Sequence, residues 1–359
     1  MPTSPPRPPR APRTGIIAAG NWIVDHVKVI DAWPPQDALA NIRDEVAANG
    51  GAPYNVLKDL ARLGARFPLR AVGLVGDDSD ADYIFRDCRL HGIDTSGLRR
   101  LRGVPTSHTD VMTVSATGRR TFFHQRGANA RLGPEHFDFE GTRARFFHLG
   151  YLLLLDRLDA RRGDRPAAAA VLRRARRAGL RVSLDCVSEN SNRFAAVVLP
   201  VLPDVDLLFV NDFEAERLSG IALRKGEALD AAAVEAAARA LLAAGVREWV
   251  IIHFPEGAFA QSARGGSRWQ GSVRVPAESI RGMTGAGDAL AAGVLLGLHQ
   301  EEDMASCLEL GVAAAAACLQ HATCSDGVRP AAVCRAQARR LGWRNPPSPA
   351  GASLLSPQI

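Results

Sequence analysis

Two kinds of hydrophobic pattern alternate along the chain after residue 145. Short, continuous apolar runs predict buried strands, and longer segments whose apolar residues recur every three or four positions predict helices. The predicted strands lie at 146–149, 180–184, 205–210 and 249–253, and the predicted helices at 166–178 and 231–244. Strands and helices that alternate in this way predict βαβ units, in which helices cover a parallel sheet.

The first third of the chain combines this rhythm with another one. Runs at 16–19 and 71–75 predict two more buried strands. The stretch 21–27 partly alternates apolar and polar residues, and 110–115 and 120–124 flank Ala-Thr-Gly-Arg, which predicts a β-hairpin. These strands interrupt the alternation of helices and strands, so we expect them to form a separate small sheet.

Length and composition bound the number of domains. With 359 residues, 47% of them hydrophobic, the chain can bury the core of one large domain. Residues 1–14 are rich in proline and arginine, so we expect a disordered leader there, and we expect a disordered tail over 344–359. One domain is therefore predicted over 15–343.

Charge and cysteine content narrow the function classes. The formal net charge is +6, nearly all of the positive charge is arginine, and only the run at 173–177 is clustered. That run lies in a predicted helix as its solvated face, so the excess charge favours an anionic ligand such as a nucleotide over nucleic acid. No apolar run approaches the roughly 18 residues that a membrane span needs. Six cysteines without a CxxC pair favour a reduced, cytoplasmic setting.

The candidate chemistry centres on Thr-Gly-Ala-Gly-Asp at 284–288, which opens a predicted helix. Gly285, Ala286 and Gly287 leave the free N–H groups of the first helical turn accessible, and these donors make an anion site. The carboxylate of Asp288 lies in that turn and would repel the anion, so it is unfavourable if the site serves only to bind an anion. It is suited to taking a proton from a group that attacks the anion, which indicates phosphoryl transfer. A glycine-rich turn with a dipole-favoured aspartate is the plainer interpretation.

A second glycine pair precedes a predicted helix near the N-terminus. Gly50 and Gly51 allow the backbone to approach a ligand, and Asn55 places an amide one turn into the helix. Asp25 lies one strand-length beyond Gly20, and Asn129 ends the predicted hairpin, so both could face a ligand. Taken alone, a glycine pair before a helix predicts only a turn.

Polar residues also follow the predicted strands of the parallel sheet. Asp185, Asn211 and Glu214 lie at or just beyond strand ends. Open α/β sheets bind ligands at the carboxyl ends of their strands. These three residues are therefore candidates for a ligand site.

Together, Gly50-Gly51-x-x-x-Asn55 and the later Gly285-Ala286-Gly287-Asp288 resemble the motifs of the PfkB/ribokinase family of carbohydrate kinases. The resemblance covers roughly residues 15–335. It implies an α/β fold of the ribokinase-like type: a doubly wound, mostly parallel sheet flanked by helices, with a small β-sheet lid. The lid strands are expected near 21–49 and 105–127.

The resemblance also implies an activity, in which the γ-phosphoryl of ATP is transferred to a sugar hydroxyl. Asp288 then corresponds to the general base, and the amides of Gly285, Ala286 and Gly287 to the anion hole. The substrate-binding positions carried over are Asp25, Gly50, Gly51, Asn55 and Asn129; the nucleotide-binding positions are Asn211, Glu214, Gly257 and Thr284. Asn211 and Glu214 also correspond to the residues that hold Mg²⁺ through water. Family members often form a homodimer through the lid.

Three positions depart from the family pattern. The family usually has Asp-Thr where this chain has Gly282 and Met283, so the resemblance does not extend to activation by a monovalent cation such as potassium. Phe254 replaces a glycine of the family's strand-end motif, and we expect it to crowd the approach to the nucleotide. His253 is either a nucleotide contact or an ordinary histidine at a strand end.

Two alternatives to a sugar kinase remain open at this point. A nucleoside kinase of the same fold keeps the chemistry and needs an aromatic wall, for which Trp22, Trp33 and Phe122 are loose candidates. A kinase-fold sugar-binding regulator keeps the sugar pocket and loses efficient use of ATP. An intact Asp288 argues against the regulator, because a pure binder needs no base.

Overall fold

The computed structural model describes residues 12–347, so the predicted leader and tail lie mostly outside the described residues. Where the two segments begin to be described, they contact the domain. Arg13 Nη1 donates to the carbonyl oxygen of Ala144 over 2.9 Å, and the backbone N–H of Arg344 donates to the carbonyl oxygen of Ser272 over 2.7 Å.

Strands and helices alternate along most of the described chain. The strands are β1 (Ile16–Gly20), β2 (Ile23–Ile30), β3 (Ile42–Gly50), β4 (Leu69–Val75), β5 (Asp94–Arg100), β6 (Ser107–Val114), β7 (Arg120–Gln125), β8 (Phe146–Leu152), β9 (Arg161–Arg162), β10 (Arg165–Pro166), β11 (Arg181–Cys186), β12 (Leu207–Asn211), β13 (Arg224–Lys225), β14 (Ala228–Leu229), β15 (Trp249–Phe254), β16 (Gly257–Ser262) and β17 (Ser267–Gly271). The helices are α1 (Ala52–Leu63), α2 (Ser79–Leu90), α3 (Asp156–Asp159), α4 (Ala168–Arg177), α5 (Phe194–Val197), α6 (Asp212–Ser219), α7 (Ala231–Ala243), α8 (Ala286–His299), α9 (Met304–Cys318) and α10 (Ala331–Leu341).

A nine-stranded sheet forms the centre of the molecule, in the order β17-β16-β15-β12-β11-β8-β1-β4-β5. The seven strands from β15 to β5 are parallel, and β16 and β17 extend that sheet as an antiparallel hairpin. Helices α1, α8 and α9 pack on one face, and α4, α6 and α7 pack on the other. The doubly wound, mostly parallel sheet predicted from the sequence is therefore confirmed.

Alternation along β1 explains the two hydrophobic cores. Ile16 and Ala18 belong to the core under α1 and α8, whereas Ile17 and Ala19 belong to the core under α4 and α7. Successive side chains of a strand point to opposite faces, so a continuous apolar run is what a strand buried on both faces needs.

A second sheet of four strands, in the order β3-β2-β6-β7, forms the lid. Its strands come from two separate segments of the chain, 23–50 and 107–125, where the sequence expectation placed lid strands near 21–49 and 105–127. Only two residues, Asn21 and Trp22, separate β2 of the lid from β1 of the large sheet, and both are buried. The lid is therefore joined directly to the central strands.

One helix start and one hairpin differ from the sequence expectation. The helix predicted from residue 166 begins at Ala168, because Arg165 and Pro166 pair with the preceding Arg161 and Arg162. The hairpin β16–β17 was not predicted. Within residues 12–347, no helix combines the length and the apolar character needed to cross a membrane.

Candidate active site

The first turn of α8 forms the anion-binding half of the candidate site. Gly285 precedes the helix with φ 83°, and a Cβ there would lie 2.5 Å from the carbonyl oxygen of Cys324. Glycine is therefore required at this position. Among the described residues, no side chain caps this helix start, so its N–H groups are available to an anion.

Asp288 lies in this first turn and is almost fully buried, at 3% exposure. Asn55 Nδ2 donates to its Oδ2 over 2.7 Å, and the Tyr151 hydroxyl donates to the same oxygen over 2.7 Å. Burial raises the pKa of Asp288 to about 6, while donation by Asn55 and Tyr151 lowers it. The carboxyl group is therefore mostly ionised at neutral pH and able to accept a proton.

The acceptor half of the site is built where β2 and β3 meet α1. A Cβ on Gly50 would lie 2.5 Å from Asp25 Oδ1, and a Cβ on Gly51 would lie 2.1 Å from the Asn21 carbonyl oxygen. Gly50 thus allows the Asp25 carboxylate to lie against the backbone, and Gly51 allows the start of α1 to lie against the Asn21 carbonyl. Burial raises the pKa of Asp25 to about 7, against donation by Thr109 and Cys324.

The two halves meet at Cys324. Its Sγ lies 3.6 Å from Asp25 Oδ2, and its Cβ lies 2.7 Å from the position of a Cβ on Gly285. The negative charge of Asp288 also raises the pKa of Asp25, because the two charges repel. The structure therefore brings Asp25, Asn55 and Asp288, which are distant in sequence, into one site.

Asn211 and Glu214 lie at the edge of the same sheet and form a capping box at the start of α6. Asn211 Oδ1 accepts from the Glu214 N–H over 2.8 Å, and Glu214 Oε2 accepts from the Asn211 N–H over 3.0 Å. Ser188 donates to Glu214 Oε1 over 2.7 Å. Asn211 and Glu214 therefore have a structural role, which is to cap α6, in addition to the predicted role in binding nucleotide and Mg²⁺.

Glu214 and Asp185 are nevertheless two buried carboxyl groups at one strand edge. Burial raises the pKa of Glu214 to about 7, and burial together with the charges of Glu214 and Asp288 raises the pKa of Asp185 well above its ordinary range. Mutually repelling oxygen ligands of this kind suit a hard cation that also keeps water and phosphate ligands. No cluster of three or more His, Cys, Asp or Glu side chains arranged for a metal occurs in residues 12–347. The donors thus fit Mg²⁺ only as a partial, water-mediated set.

Three other predicted positions have evident structural partners, and their binding roles stay predictions. Asn129 Oδ1 accepts from the Trp22 N–H over 3.2 Å, and Asn129 Nδ2 donates to the Trp22 carbonyl over 3.1 Å. A Cβ on Gly257 would lie 2.0 Å from the Gln270 carbonyl oxygen, so the β16–β17 pairing requires glycine. Thr284 Oγ1 accepts from Arg120 of the lid over 3.0 Å.

The two unusual strand-end residues face different surroundings. The Phe254 ring is buried against Trp269, with centroids 5.9 Å apart. The His253 ring lies beside the anion-binding turn, where a Cβ on Gly287 would be 3.0 Å from His253 Cε1. Burial lowers the pKa of His253 to about 4, so this ring is neutral next to the turn.

Sequence reasoning missed Tyr151, Cys324, Asn49 and Arg120. Tyr151 lies at the C-terminal end of β8, and the rule that polar groups at strand ends bind ligands could have found it. Asn49 immediately precedes the glycine pair, so its position was a signal as well. Cys324 and Arg120 carried no comparable pattern.

This arrangement can bind an anion at the α8 turn and accept a proton beside it. Asp288 lies between the turn and the group formed by Asp25 and Asn55, which suits the hydroxyls of a polyol. In-line attack of a hydroxyl on a phosphoryl group needs this combination of an acceptor site, a base and an anion hole.

Comparisons with known proteins indicate a family for the chain. The family model described as pfkB family carbohydrate kinase matches residues 18–331. An ATP-dependent ribose-1-phosphate kinase of Halopiger xanaduensis is 30% identical over 204 residues, which are 56% of this chain and 63% of that protein. Fructokinase-1 of Oryza sativa is 27% identical over 57% of this chain and 62% of that enzyme. The chain thus spans less than two thirds of these relatives.

Solved structures share the fold. Arabidopsis thaliana ribokinase complexed with ribose and ATP superposes with a TM-score of 0.73 at 19% identity, covering 91% of this chain and 99% of that one. A Burkholderia thailandensis nucleoside kinase in complex with inosine has a TM-score of 0.70 at 18% identity, covering 91% and 98%. At such identities the likeness shows the ribokinase-like fold alone.

Proposed function

The chain belongs to the pfkB family of carbohydrate kinases, and on this basis we propose that it transfers the γ-phosphoryl of ATP to a hydroxyl of a sugar. The observation that carries the proposal is the buried Asp288, which lies in the first turn of α8 and accepts hydrogen bonds from Asn55 and Tyr151. A carboxylate in this position is explained by proton transfer and not by anion binding.

In this mechanism Asp288 takes the proton of the attacking hydroxyl as the bond to phosphorus forms. A pKa of about 6 leaves the carboxylate ionised at neutral pH and still basic enough to accept a proton. The N–H groups of Gly285, Ala286 and Gly287 donate to the charge that develops on the transferred group. Asp25 and Asn55 orient the sugar by binding its other hydroxyls.

Glu214 and Asn211, with Asp185, are the residues that would hold Mg²⁺ through water at the strand edge. The ion supplies charge neutralisation for the triphosphate when it is bound. Thr284 and Gly257 are proposed nucleotide contacts. Gly282 and Met283 offer no carboxylate, so we do not extend the proposal to a potassium site.

Replacement of the base tests the proposed reaction. Asp288→Asn keeps the size of the side chain and removes its ability to take a proton, so we expect kcat to fall about 10²- to 10⁴-fold. Release of ADP is measured with Mg·ATP across a panel of sugars and nucleosides. Asp164→Asn, at an exposed residue, is the matched control and is expected to behave as wild type.

Full ADP release by Asp288→Asn, with an acceptor on which wild type is active, contradicts the role of the base. Clear sugar binding by calorimetry without measurable binding of Mg·ATP would instead support the sugar-binding regulator.

A nucleoside is the second candidate acceptor because an exposed aromatic ring faces the pocket side of the lid. In the strand register, Asp25 pairs with Thr109 and Thr109 with His124, so these three residues share a face. Phe122 is two residues from His124 and lies on that face with 53% of its surface exposed. Trp22 is buried, and Trp33 stacks on Phe123, whose side chain points to the opposite face.

We also propose that two copies of the chain associate through the lid. Of the ten large hydrophobic side chains exposed within residues 12–347, six belong to the lid segments: Trp33, Leu39, Ile42, Val46, Phe122 and Phe123. Phe123, with the Trp33 ring stacked on it, lies on the lid face opposite Asp25, and exposed apolar side chains grouped on one face commonly mark a contact surface.

A reducing, cytoplasmic setting is proposed as well. All six cysteines are buried free thiols, and Cys324 lies within the site itself. Thiols of this kind persist where glutathione keeps them reduced.

A further inference from the structure

We propose that Lys58 fixes the direction of a buried hydrogen-bond chain through Asn49 and Asn55, so that the chain always ends by donating to Asp288. The inference rests on the proposed function, because it concerns the base of that reaction. Lys58 acts through other side chains and is a positioning residue.

The chain starts at Lys58, a lysine on α1 with 3% exposure. Its Nζ lies 3.1 Å from Asp87 Oδ2, 3.3 Å from Asp326 Oδ1 and 3.1 Å from Asn49 Oδ1. An ammonium group has three donors and no acceptor. Asn49 must therefore turn its oxygen, and not its nitrogen, toward Lys58.

This orientation of Asn49 determines that of the next amide. Asn49 Nδ2 donates to Asn55 Oδ1 over 2.7 Å and to Ser325 Oγ over 2.9 Å, which uses both of its N–H groups. Asn55 then has its oxygen occupied and its nitrogen free. Asn55 Nδ2 donates to Asp288 Oδ2 over 2.7 Å. All three links thus run from a donor-only end to the carboxylate.

The direction matters because an amide can be reversed at almost no steric cost. A reversed Asn55 would place a carbonyl oxygen against Asp288 Oδ2 at the same short distance, which penalises the ionised carboxylate. Donation to a charged group is stronger than donation to a neutral one. Reversal is therefore expected to raise the pKa of Asp288 by about one to two units.

The other titratable groups that face Asp288 make these donors necessary. They come from several elements and are all acids: Asp25, Asp59, Tyr151, Asp185, Glu214, Cys318 and Cys324. Charge on any of them opposes the ionisation of Asp288. Within the described residues, Lys58 is the cation that the hydrogen-bond chain connects to the base. Arg62 and Asp59 also lie near Lys58.

Two substitutions of different kinds test the chain. Lys58→Met removes the donor-only end, but it also leaves Asp87 and Asp326 without their buried cation and is expected to lower thermal stability. Asn49→Asp keeps a partner for Lys58 and reverses the polarity, because a carboxylate can only accept. Asn55 is then drawn to give its nitrogen to residue 49 and its oxygen to Asp288.

For Asn49→Asp we expect a thermal midpoint near that of wild type and a pKa of Asp288 that is higher by about one to two units. From a starting value of about 6, the fraction of ionised base at pH 7 falls about two- to tenfold, and kcat falls with it and recovers near pH 9. The KM of the acceptor is expected to change less than kcat. Lys58→Met shifts the pKa in the same direction, and Lys58→Arg restores it.

The pKa is read by ¹³C NMR of labelled aspartate carboxyl groups, with Asp288 assigned from the spectrum of Asp288→Asn. This readout needs no turnover. A wild type that phosphorylates no acceptor would defeat the proposed function, while the titration still decides the inference. A pKa of Asp288 in Asn49→Asp within about 0.3 unit of wild type overturns it. Gln300→Glu, at an exposed residue beyond the other end of α8, is the control for added charge.

Discussion

At the scale of single residues, the Tyr151 hydroxyl is the contact that most directly tunes the candidate base. It lies 2.7 Å and 3.0 Å from the two oxygens of Asp288, so one phenol bridges the whole carboxylate. Burial alone favours the protonated carboxyl, and donation by Tyr151 and Asn55 opposes it. The pKa of about 6 is the balance of these effects.

Tyr151→Phe should disturb that balance in a known direction. Loss of a donor to the ionised form raises the pKa of Asp288, by about one unit if the bond contributes about 1.4 kcal/mol. The acidic limb of the kcat profile then moves upward, so activity falls about fivefold at pH 6 and little at pH 8. The measurement is ADP release from pH 5 to 9.

A second tyrosine supplies the control for this change. The Tyr83 hydroxyl donates to the Ala47 carbonyl of the lid over 3.3 Å, and Tyr83→Phe is expected to leave the profile unchanged. An equal loss at pH 6 and pH 8 in Tyr151→Phe would mean that the tyrosine has a packing role only.

Sequence reasoning located some residues of the site and not others for a physical reason. Asp288 and Asn55 lie at helix starts marked by glycines, and such local geometry is visible in the chain. Tyr151 reaches Asp288 from 137 residues away, at the end of a strand that continues into apolar residues. Only the tertiary fold, which brings the C-terminal end of β8 beside the first turn of α8, places it there.

At the scale of elements, buried strands were predictable and half-exposed strands were less so. The strands β1, β4, β8, β12 and β15 are continuous apolar runs and were predicted close to their observed bounds. Strand β3 is exposed over its first six residues and is rich in charge, and β17 is a partly buried edge strand that pairs with β16. Their stability comes from neighbouring strands and not from their own pattern.

One lid strand is tied to the anion-binding turn by Arg120 of β7. Arg120 Nη1 donates to Thr284 Oγ1 over 3.0 Å, and Nη2 donates to the Arg281 carbonyl over 3.1 Å. Thr284 immediately precedes the glycines of the anion hole. The guanidinium therefore connects the lid to the segment that would contact the phosphoryl group.

Arg120→Ala removes both bonds. At a net value of about 0.5–1.5 kcal/mol for each, we expect kcat/KM to fall about tenfold, mainly through a higher KM, while the thermal midpoint changes little. Steady-state kinetics with Mg·ATP and the sugar provide the measurement. Arg119→Ala is the matched control, because this neighbouring arginine is exposed and lies in the turn that precedes β7. Equal effects of the two substitutions would refute the bridge.

At the scale of the whole molecule, the fold class was predictable because βαβ units have few arrangements. Apolar strands alternating with helices dictate a sheet covered on both faces, and the handedness of crossovers restricts the order of strands. The lid followed from its half-exposed strands. How two segments, 23–50 and 107–125, pair into one sheet depends on tertiary contacts that no local pattern encodes.

Association through the lid should depend on its exposed aromatic residues. Phe123 stacks on Trp33 with ring centroids 6.0 Å apart, and each is about half exposed. Phe123→Glu introduces a charge that is costly to bury, so we expect the dimer to weaken about tenfold or more. Sedimentation velocity over a range of concentrations measures this change.

Leu90→Glu provides the comparison, because Leu90 is an exposed hydrophobic residue of α2 outside the lid. It is expected to leave the sedimentation behaviour unchanged. A wild-type chain that sediments as a monomer at all concentrations would rule out the association.

The separation of the lid from α8 has a consequence for divergence among relatives. The lid strands contribute Asp25 to the candidate pocket, whereas the proposed base and anion hole belong to a helix more than 150 residues further along the chain than the second lid segment. Mutation and selection can therefore alter the lid strands, and with them the choice of acceptor, while the inherited phosphoryl-transfer apparatus stays intact. A single ancestral scaffold of this kind can give rise to enzymes for many metabolites.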